Sequence, residues 1–312
     1  MLGNQVAEAQ RKLDPAQWDA LVLGKDTIYR KKPSPADLAM KSRHYSEAVN
    51  LYLHQIKLEP CHPAEYNNLA IAYVEIGKLD SALFYLSTSL DIDPRTTFLE
   101  QPHFIPLINT QEWKDLEAKY VGNVRKYGLG IKNVDLALEL WKMMQTDQAY
   151  YSEIDEAESK WGPKCKVIDS LWALKNPINE RNLKRLEEIV KESGWPSISE
   201  VGSRGAVSAF IIIQHADLEI QKKYEPIIEK AANEGEAHWR DLALLIDRIR
   251  VKQNLPQLYG SQLRWNEEKK SYSPQPIEDE SNLDLRRKKV GLNTAAEYYK
   301  NWNIVYTVPQ NN

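Results

Sequence analysis

The chain has 312 residues, of which 42% are hydrophobic and 27% are charged, and its acidic residues exceed its basic ones by three. A chain of this length is expected to form about two domains, each with enough apolar material for its own core. The near balance of charge gives no reason to expect nucleic acid or a membrane surface as a partner.

The N-terminal sequence and the cysteines restrict the compartment and the type of scaffold. The first twenty residues lack the apolar run of a secretory signal, and the longest apolar run, Ala209–Ile213, is far too short to span a bilayer. We therefore expect a cytoplasmic protein, or a secreted or periplasmic one if a leader sequence has been removed. Cys61 and Cys165 lie far apart and neither belongs to a CxxC pair, which argues against a zinc ribbon and a disulfide framework.

Two segments of the N-terminal third align at a spacing of 34 residues, one ending at Pro60 and the other at Pro94. Small residues recur at matching places, as Ala48 and Ala82 do. This period resembles that of tetratricopeptide repeats, in which small residues let the two helices of a hairpin approach closely. The resemblance covers residues 29–96 and implies a concave surface for a protein or peptide partner. A structural annex to the second domain is the alternative.

The two copies differ at the turn between their helices, where Gly77 of the second copy is matched by Arg43 in the first. Cap residues before a proline mark two helix starts, at Asp14-Pro15 and at Ser34-Pro35. Two repeats are fewer than an independent solenoid needs. We therefore expect the array, residues 1–127, to pack on another helix or on the second domain.

Residues 128–312 are predicted to form a second, helical domain that follows a glycine-containing linker at 128–130. Its longest helical pattern runs from Ala206 to Gly235, where Pro226 should kink or divide the helix. A helix is also predicted over residues 179–193.

The pattern changes beyond Pro256, where two short segments joined by a polar turn predict a small β-hairpin near 261–274. Two capped helices, opened by Ser281 and by Thr294 with Glu297, then close the chain. The expected fold class is therefore mainly α, with a short tetratricopeptide-like array packed on a helical C-terminal domain that carries one small hairpin.

Seven short motifs follow one another in the second domain: GWP at 194–196, VG at 201–202, QHADLEIQ at 214–221, LALLIDR at 242–248, QLYGSQ at 257–262, PIED at 276–279 and RRKKVGL at 286–292. Together with Asp147-Gln148 they resemble an uncharacterised bacterial family, of the domain-of-unknown-function 6624 type, over roughly residues 130–300. The resemblance implies no activity. It does imply that the polar residues of these motifs are family features.

His215 and Asp247 are the strongest candidates for chemistry. His215 has apolar neighbours on its helix, and a histidine in such a setting is either a hydrogen-bonded core residue or an acid/base group. Asp247 also has apolar residues on its own face, so its carboxylate needs a cation or several hydrogen-bond donors. Arg286 or Arg287 would supply that cation in a structural ion pair.

Other polar residues of the motifs are candidates for ligand binding, namely Gln214, Asp217, Gln221, Arg248, Gln257, Tyr259, Gln262, Arg286 and Arg287. Those at 214–221 share one helical face, for which a solvated stripe is the alternative. Those at 257–262 lie in an irregular segment, which also suits a loop that ties a hairpin to a helix.

The known catalytic and cofactor motifs GxSxG, HExxH, GxGxxG and the Walker loop are absent from the sequence, as is any Cys/His metal pattern. We therefore expect neither a cofactor nor a metal, since only His215, Asp217 and Asp247 would be available as ligands.

Two functions remain open. In the first, the repeats bind a protein or peptide partner and the second domain carries a polar site for a small anionic ligand. In the alternative, the chain is an unrecognised enzyme in which His215 is the acid/base group and Asp247 orients it. Arg248, Arg286 or Arg287 would then hold an anionic substrate.

Overall fold

The computed structural model describes residues 33–127, 130–162, 165–266, 268–269 and 271–309. The helix start predicted at Asp14-Pro15 and the first two residues of the predicted linker lie outside these ranges. Within them the fold is mainly α-helical with one two-stranded sheet, which confirms the predicted fold class. The chain divides into two compact units, Met1–Val134 and Asp135–Asn312.

The first unit is built from consecutive helices that pack on one another. They are α1 (Pro35–Lys41), α2 (Tyr45–Leu58), α3 (Pro63–Glu75), α4 (Leu79–Ile92), a 3₁₀ helix (Pro102–Leu107) and α5 (Gln111–Tyr127). The predicted cap at Ser34 is confirmed as a capping box with Asp37, with Pro35 at the first helical position. The matching alanines Ala48 and Ala82 are fully buried, because helices that approach closely leave no room for larger side chains.

The two turns between paired helices have the same backbone conformation. Gly77, between α3 and α4, has a φ of 74°, and Arg43, between α1 and α2, has a φ of 57°. Both values lie in the left-handed region, which glycine adopts readily and which costs other residues about 1–2 kcal/mol. The first copy therefore keeps the turn of the second although its glycine has been replaced.

In its described residues, the second unit contains six longer helices, a hairpin, two short helices and the 3₁₀ helices Glu280–Asn282 and Lys300–Trp302. The α-helices and strands are α6 (Val134–Asp147), α7 (Tyr151–Trp161), α8 (Lys166–Ser193), α9 (Ile198–His215), α10 (Leu218–Asn233), α11 (Trp239–Lys252), β1 (Leu263–Asn266), β2 (Ser271–Pro274), α12 (Leu283–Lys289) and α13 (Ala295–Tyr299). The strands are antiparallel, with Leu263 opposite Pro274 and Asn266 opposite Ser271, which confirms the predicted hairpin.

The longest predicted helix is divided at a different place from the one expected. The break falls at Ala216, which is extended (φ −71°, ψ 175°), and α10 then continues through Pro226. Asp217 provides the reason, because its side chain accepts from the Ile220 N–H at 2.9 Å and so caps α10. The prediction for residues 179–193 was also too short, since α8 begins at Lys166.

The last part of the chain packs around a small core formed by Leu283, Ala295 and Tyr299. The capping box predicted at Thr294 and Glu297 is present. The start predicted at Ser281 instead becomes a 3₁₀ turn, Glu280–Asn282, that leads into α12. In the described part of the chain, no helix has the length and apolar character needed to cross a membrane.

The paired turns allow a test in which two substitutions act in opposite directions. Gly77→Ala should lower the free energy of unfolding by about 1 kcal/mol, because an added Cβ meets no atom within 4 Å and only the backbone conformation is penalised. Arg43→Gly should raise it by up to about 1 kcal/mol, since relief of the left-handed strain exceeds the entropy lost and the weak surface attraction between Arg43 and Glu75. Urea denaturation of both variants measures these changes. A loss of stability in Arg43→Gly would contradict the interpretation.

Candidate functional site

The carboxylate of Asp147 lies at the turn between α6 and α7. Helix α6 ends at this residue and α7 begins at Tyr151, so residues 148–150 make the whole turn. Tyr150 adopts a left-handed backbone with a φ of 68°. Strain of this kind persists where surrounding contacts hold the chain in place. The tight turn brings the Asp147 and Tyr151 side chains to one partner.

That partner is His215, the last residue of α9. Its Nδ1 lies 2.9 Å from Asp147 Oδ2, and the Tyr151 hydroxyl oxygen lies 3.3 Å from both ring nitrogens. The Asp147 side chain is 1% exposed, whereas that of His215 is 17% exposed. A carboxylate at Nδ1 favours the tautomer whose lone pair is on Nε2, which is how acid/base histidines are oriented.

Lys175, from α8, contacts both Tyr151 and Asp147. The residue is fully buried, its Nζ lies 4.1 Å from the centroid of the Tyr151 ring, and it donates to the backbone carbonyl of Asp147. Burial lowers the pKa of the Lys175 ammonium group, and the charge of Asp147 opposes that change. Burial also raises the pKa of the Tyr151 hydroxyl well above its ordinary value, so the phenol stays neutral. The cluster therefore contains a neutral donor beside a carboxylate and a buried cation.

Arg248, from α11, lies beside the same end of α9. Its Nη1 donates to the Gln214 carbonyl at 2.9 Å, and Gln221 Nε2 donates to that oxygen at the same distance. Burial lowers the pKa of the Arg248 guanidinium, while Tyr151 and Tyr298 act in the opposite direction. Among the described residues, the buried Nε of Arg248 and the buried Oε1 of Gln214 have no hydrogen-bond partner. Both groups belong to residues that lie at the end of α9 or contact it.

Asp247 does not orient His215, because its carboxylate is bound by a loop. Oδ1 accepts from the N–H groups of Leu258 and Tyr259 at 2.7 and 2.9 Å, and Oδ2 accepts from the Ser261 N–H at 2.9 Å. The residue is 0% exposed, and burial raises its pKa although these N–H groups act against that change. The predicted need for several donors is therefore met by the backbone and not by Arg286 or Arg287.

The two arginines instead bind carbonyl groups of the same loop. Arg286 Nε donates to Leu258 O at 2.8 Å, and Arg287 Nη1 donates to Tyr259 O. The next two carbonyls, at Gly260 and Ser261, accept from the hydroxyls of Tyr299 and Tyr298, each at 2.8 Å. Arg287 also lies over the Tyr298 ring, 4.8 Å from its centroid. Each of the four successive carbonyls at 258–261 thus has a side-chain donor.

The remaining predicted site residues also have structural contacts. Gln257 donates to Gln262 O and Gln275 O at 3.0 and 2.9 Å, and its Oε1 accepts from the Gln262 N–H. Asp217 is the cap of α10, so the predicted face at 214–221 is divided between two helices. Within the described ranges, no three His, Cys, Asp or Glu side chains lie close enough to hold a metal ion.

Three members of the cluster were not among the residues chosen from the sequence, namely Asp147, Tyr151 and Lys175. Asp147 gave a signal, since it interrupts an apolar helical pattern and stands in one of the family motifs. The sequence does not indicate a site role for Lys175, because a lysine in a charged helical segment resembles any solvated residue.

A protein family matches the second unit of the chain. The model of a family described as a family of unknown function (DUF6624) matches residues 134–309, which is more than half of the chain. No solved structure matches the chain.

The contacts of Asp247 predict a large structural effect on substitution. Asp247→Ala should lower the free energy of unfolding by about 3 kcal/mol or more, because three backbone N–H groups lose their acceptor. Asp217→Ala is the control, since it removes an exposed carboxylate that caps a helix and should cost about 1 kcal/mol. Urea denaturation measures both, and equal losses would contradict a special role for Asp247.

Proposed function

The chain belongs to the DUF6624 family of unknown function, and we propose that it is a two-part binding protein. Its second unit binds a small anionic molecule beside His215, and its first unit binds a protein or peptide partner. The anion-binding part of the proposal rests on the arrangement of His215, which is held by Asp147 and Tyr151 next to the guanidinium of Arg248.

The charges around His215 favour an anion. Lys175 and Arg248 carry two positive charges, and Lys252 adds a third where its Nζ lies 3.3 Å from the Ala216 carbonyl. Two carboxylates oppose these charges, because Asp147 contacts His215 and the charge of Asp217 acts on Lys252. Asp247 does not contribute, since it is bound by the loop at 258–261.

The unsatisfied atoms define the ligand more closely. A buried N–H without an acceptor is costly, and a carboxylate or phosphate relieves that cost by accepting from an arginine edge in a bidentate manner. The Nε of Arg248 is such a donor. Gln214 Oε1 has the opposite requirement, because it needs a donor. A small carboxylate or phosphate that also bears a hydroxyl or an amine satisfies both.

An enzyme is the alternative, and the Asp147–His215 pair is the observation that favours it. With Nδ1 on a carboxylate, Nε2 can accept a proton from a bound molecule and return it. Asp147 takes the orienting role that the sequence assigned to Asp247. Turnover of a ligand identified by binding, with loss of turnover in His215→Gln, would decide in favour of the enzyme.

Binding of small anions tests the first part of the proposal. Isothermal titration with a panel of hydroxy- and amino-carboxylates and their phosphates should give at least one ligand of the wild-type chain. Arg248→Gln should weaken its binding by about 10- to 100-fold, as expected for loss of hydrogen bonds to a charged group.

Arg250→Gln is the matched control, since this arginine lies on the same helix but pairs with Glu278 and with the Pro256 carbonyl. It should change the affinity less than twofold. An empty panel, or equal effects of the two variants, would contradict the proposal.

For the first unit, we assign α1–α4 as two tetratricopeptide hairpins. Support comes from the left-handed turns at Arg43 and Gly77, which stand 34 residues apart, and from the buried alanines at matching places. Such hairpins bind partners through exposed side chains on their surface.

An aromatic cluster on the second hairpin is the surface that best suits a partner. Tyr85 stacks on Tyr73 with ring centroids 5.4 Å apart, and Phe84 meets Tyr85 edge to face at 5.1 Å. Phe84 is 57% exposed. A large exposed aromatic supported by other rings is typical of the anchor residues of protein interfaces.

A photo-crosslinking residue at position 84 tests this surface. In extracts of the native source, benzoylphenylalanine at position 84 should form a crosslinked product, whereas the same residue at the equally exposed Leu285 should not. Excess unmodified chain should compete with the product, and excess Phe84→Asp chain should not. Competition by both chains would show that the product does not depend on the aromatic cluster.

A further inference from the structure

A second polar pair lies at the opposite end of α9. This helix is broken at Gly202, whose backbone (φ 72°, ψ 164°) is not helical, and it restarts at Ser203. Twelve residues separate Ser203 from His215, which is about 18 Å along an α-helix. Ser203 is exposed at this break. The pair is therefore distinct from the site around His215.

The partner of Ser203 is His238, the residue that precedes α11. The Ser203 Oγ lies 2.7 Å from His238 Nε2. The loop that carries the histidine is fixed to the start of α9, because the Ile198 N–H donates to the Glu236 carbonyl at 3.0 Å and the Ser199 N–H donates to the Glu236 carboxylate at 2.8 Å. The serine–histidine contact is thus held by backbone hydrogen bonds on both sides.

A small apolar cavity of about 10 Å³, enough for one water molecule, lies beside the histidine. Its walls include Trp195, Phe210 and Ile228, and His238 and Asp241 line it as well. Asp241 is only 8% exposed. Burial raises the pKa of its carboxyl, and the charges of Arg240 and His238 act against that change. The Asp241 carboxylate pairs with Arg240, whose Nε lies 3.4 Å from its Oδ1.

The cavity also has an unsatisfied polar atom. Among the described residues, the buried Nε1 of Trp195 has no hydrogen-bond acceptor. Buried indole N–H groups normally find a partner. One water molecule, the most that the cavity admits, would provide one.

We infer that Ser203 is a nucleophile with His238 as its general base, and that this pair cleaves small, uncharged esters that reach it from solvent. The positive end of the helix that restarts at Ser203 would lie near the ester carbonyl oxygen. The pair matches the nucleophile–base arrangement of acyl-transfer enzymes in its distance and in the ring nitrogen used.

The reaction needs no further reagent than water. The Ser203 oxygen attacks the ester carbonyl carbon while its proton passes to His238 Nε2. The bond to the alcohol oxygen then breaks, and that oxygen takes the proton from His238. Water releases the acyl group from Ser203 by the same route, so the products are one carboxylic acid and one alcohol.

Covalent labelling of the full chain tests this inference. Diisopropyl fluorophosphate, a small uncharged phosphorylating agent, should add one group per chain, and peptide mapping should locate it on Ser203. His238→Gln should slow this labelling by about 100-fold, as expected for loss of a general base. Ser170→Ala should be labelled at the wild-type rate, because this exposed serine on α8 donates to a helical carbonyl instead.

Two results would overturn the inference. The first is the absence of label on Ser203 in chain that circular dichroism shows to be folded. The second is labelling that proceeds equally fast in His238→Gln, because a surface serine that reacts without its histidine is not an activated nucleophile. p-Nitrophenyl acetate gives a second readout, since the wild-type chain should release a stoichiometric burst of nitrophenolate and retain an acetyl group on Ser203.

Discussion

The fully buried carboxylate of Asp247 is the interaction that organises the end of the second unit. Removing a carboxylate from water costs several kcal/mol unless its lone pairs are satisfied, and here three backbone N–H groups of the loop at 258–261 satisfy them. The loop's carbonyls then need donors, which Arg286, Arg287 and the two tyrosines at 298–299 provide. One buried charge therefore fixes a loop, and the loop fixes α12 and α13. Arg248, the next residue of α11, donates to the Gln214 carbonyl at the end of α9.

The sequence predicted those features of the two units that depend on residues close together in the chain or on a regular repeat. The caps at Ser34 and Thr294 and the small hairpin depend on residues within a few positions of one another. The offset of 34 residues is a repeat that becomes visible when the sequence is aligned with itself. The same reasoning failed where contacts between distant residues decide. His215 is hydrogen-bonded by Asp147, 68 residues earlier, and periodicity cannot identify such a partner.

The role of Asp247 was also hidden for a physical reason. Its face on α11 indicated that a buried carboxylate needed compensation, but the compensating donors are backbone N–H groups, which every residue except proline carries. Arginine side chains were the visible alternative. The sequence placed the break between α9 and α10 at Pro226. In the structure the break precedes Asp217, which caps α10, and Pro226 is accommodated inside α10.

The two ends of α9 carry partial charges of opposite sign, and this difference suits them to different chemistry. Carbonyl groups at the C-terminal end carry partial negative charge, and the cations of Arg248 and Lys252 bind them at Gln214 and Ala216. Arg248 donates there through Nη1, and its Nε has no acceptor, so an edge of the guanidinium remains for an anion beside His215. At the other end, the break at Gly202 gives the helix a second start, whose partial positive charge favours a developing negative charge near Ser203. A single helix can therefore support both an anion-binding histidine site and a serine nucleophile without either site depending on the other.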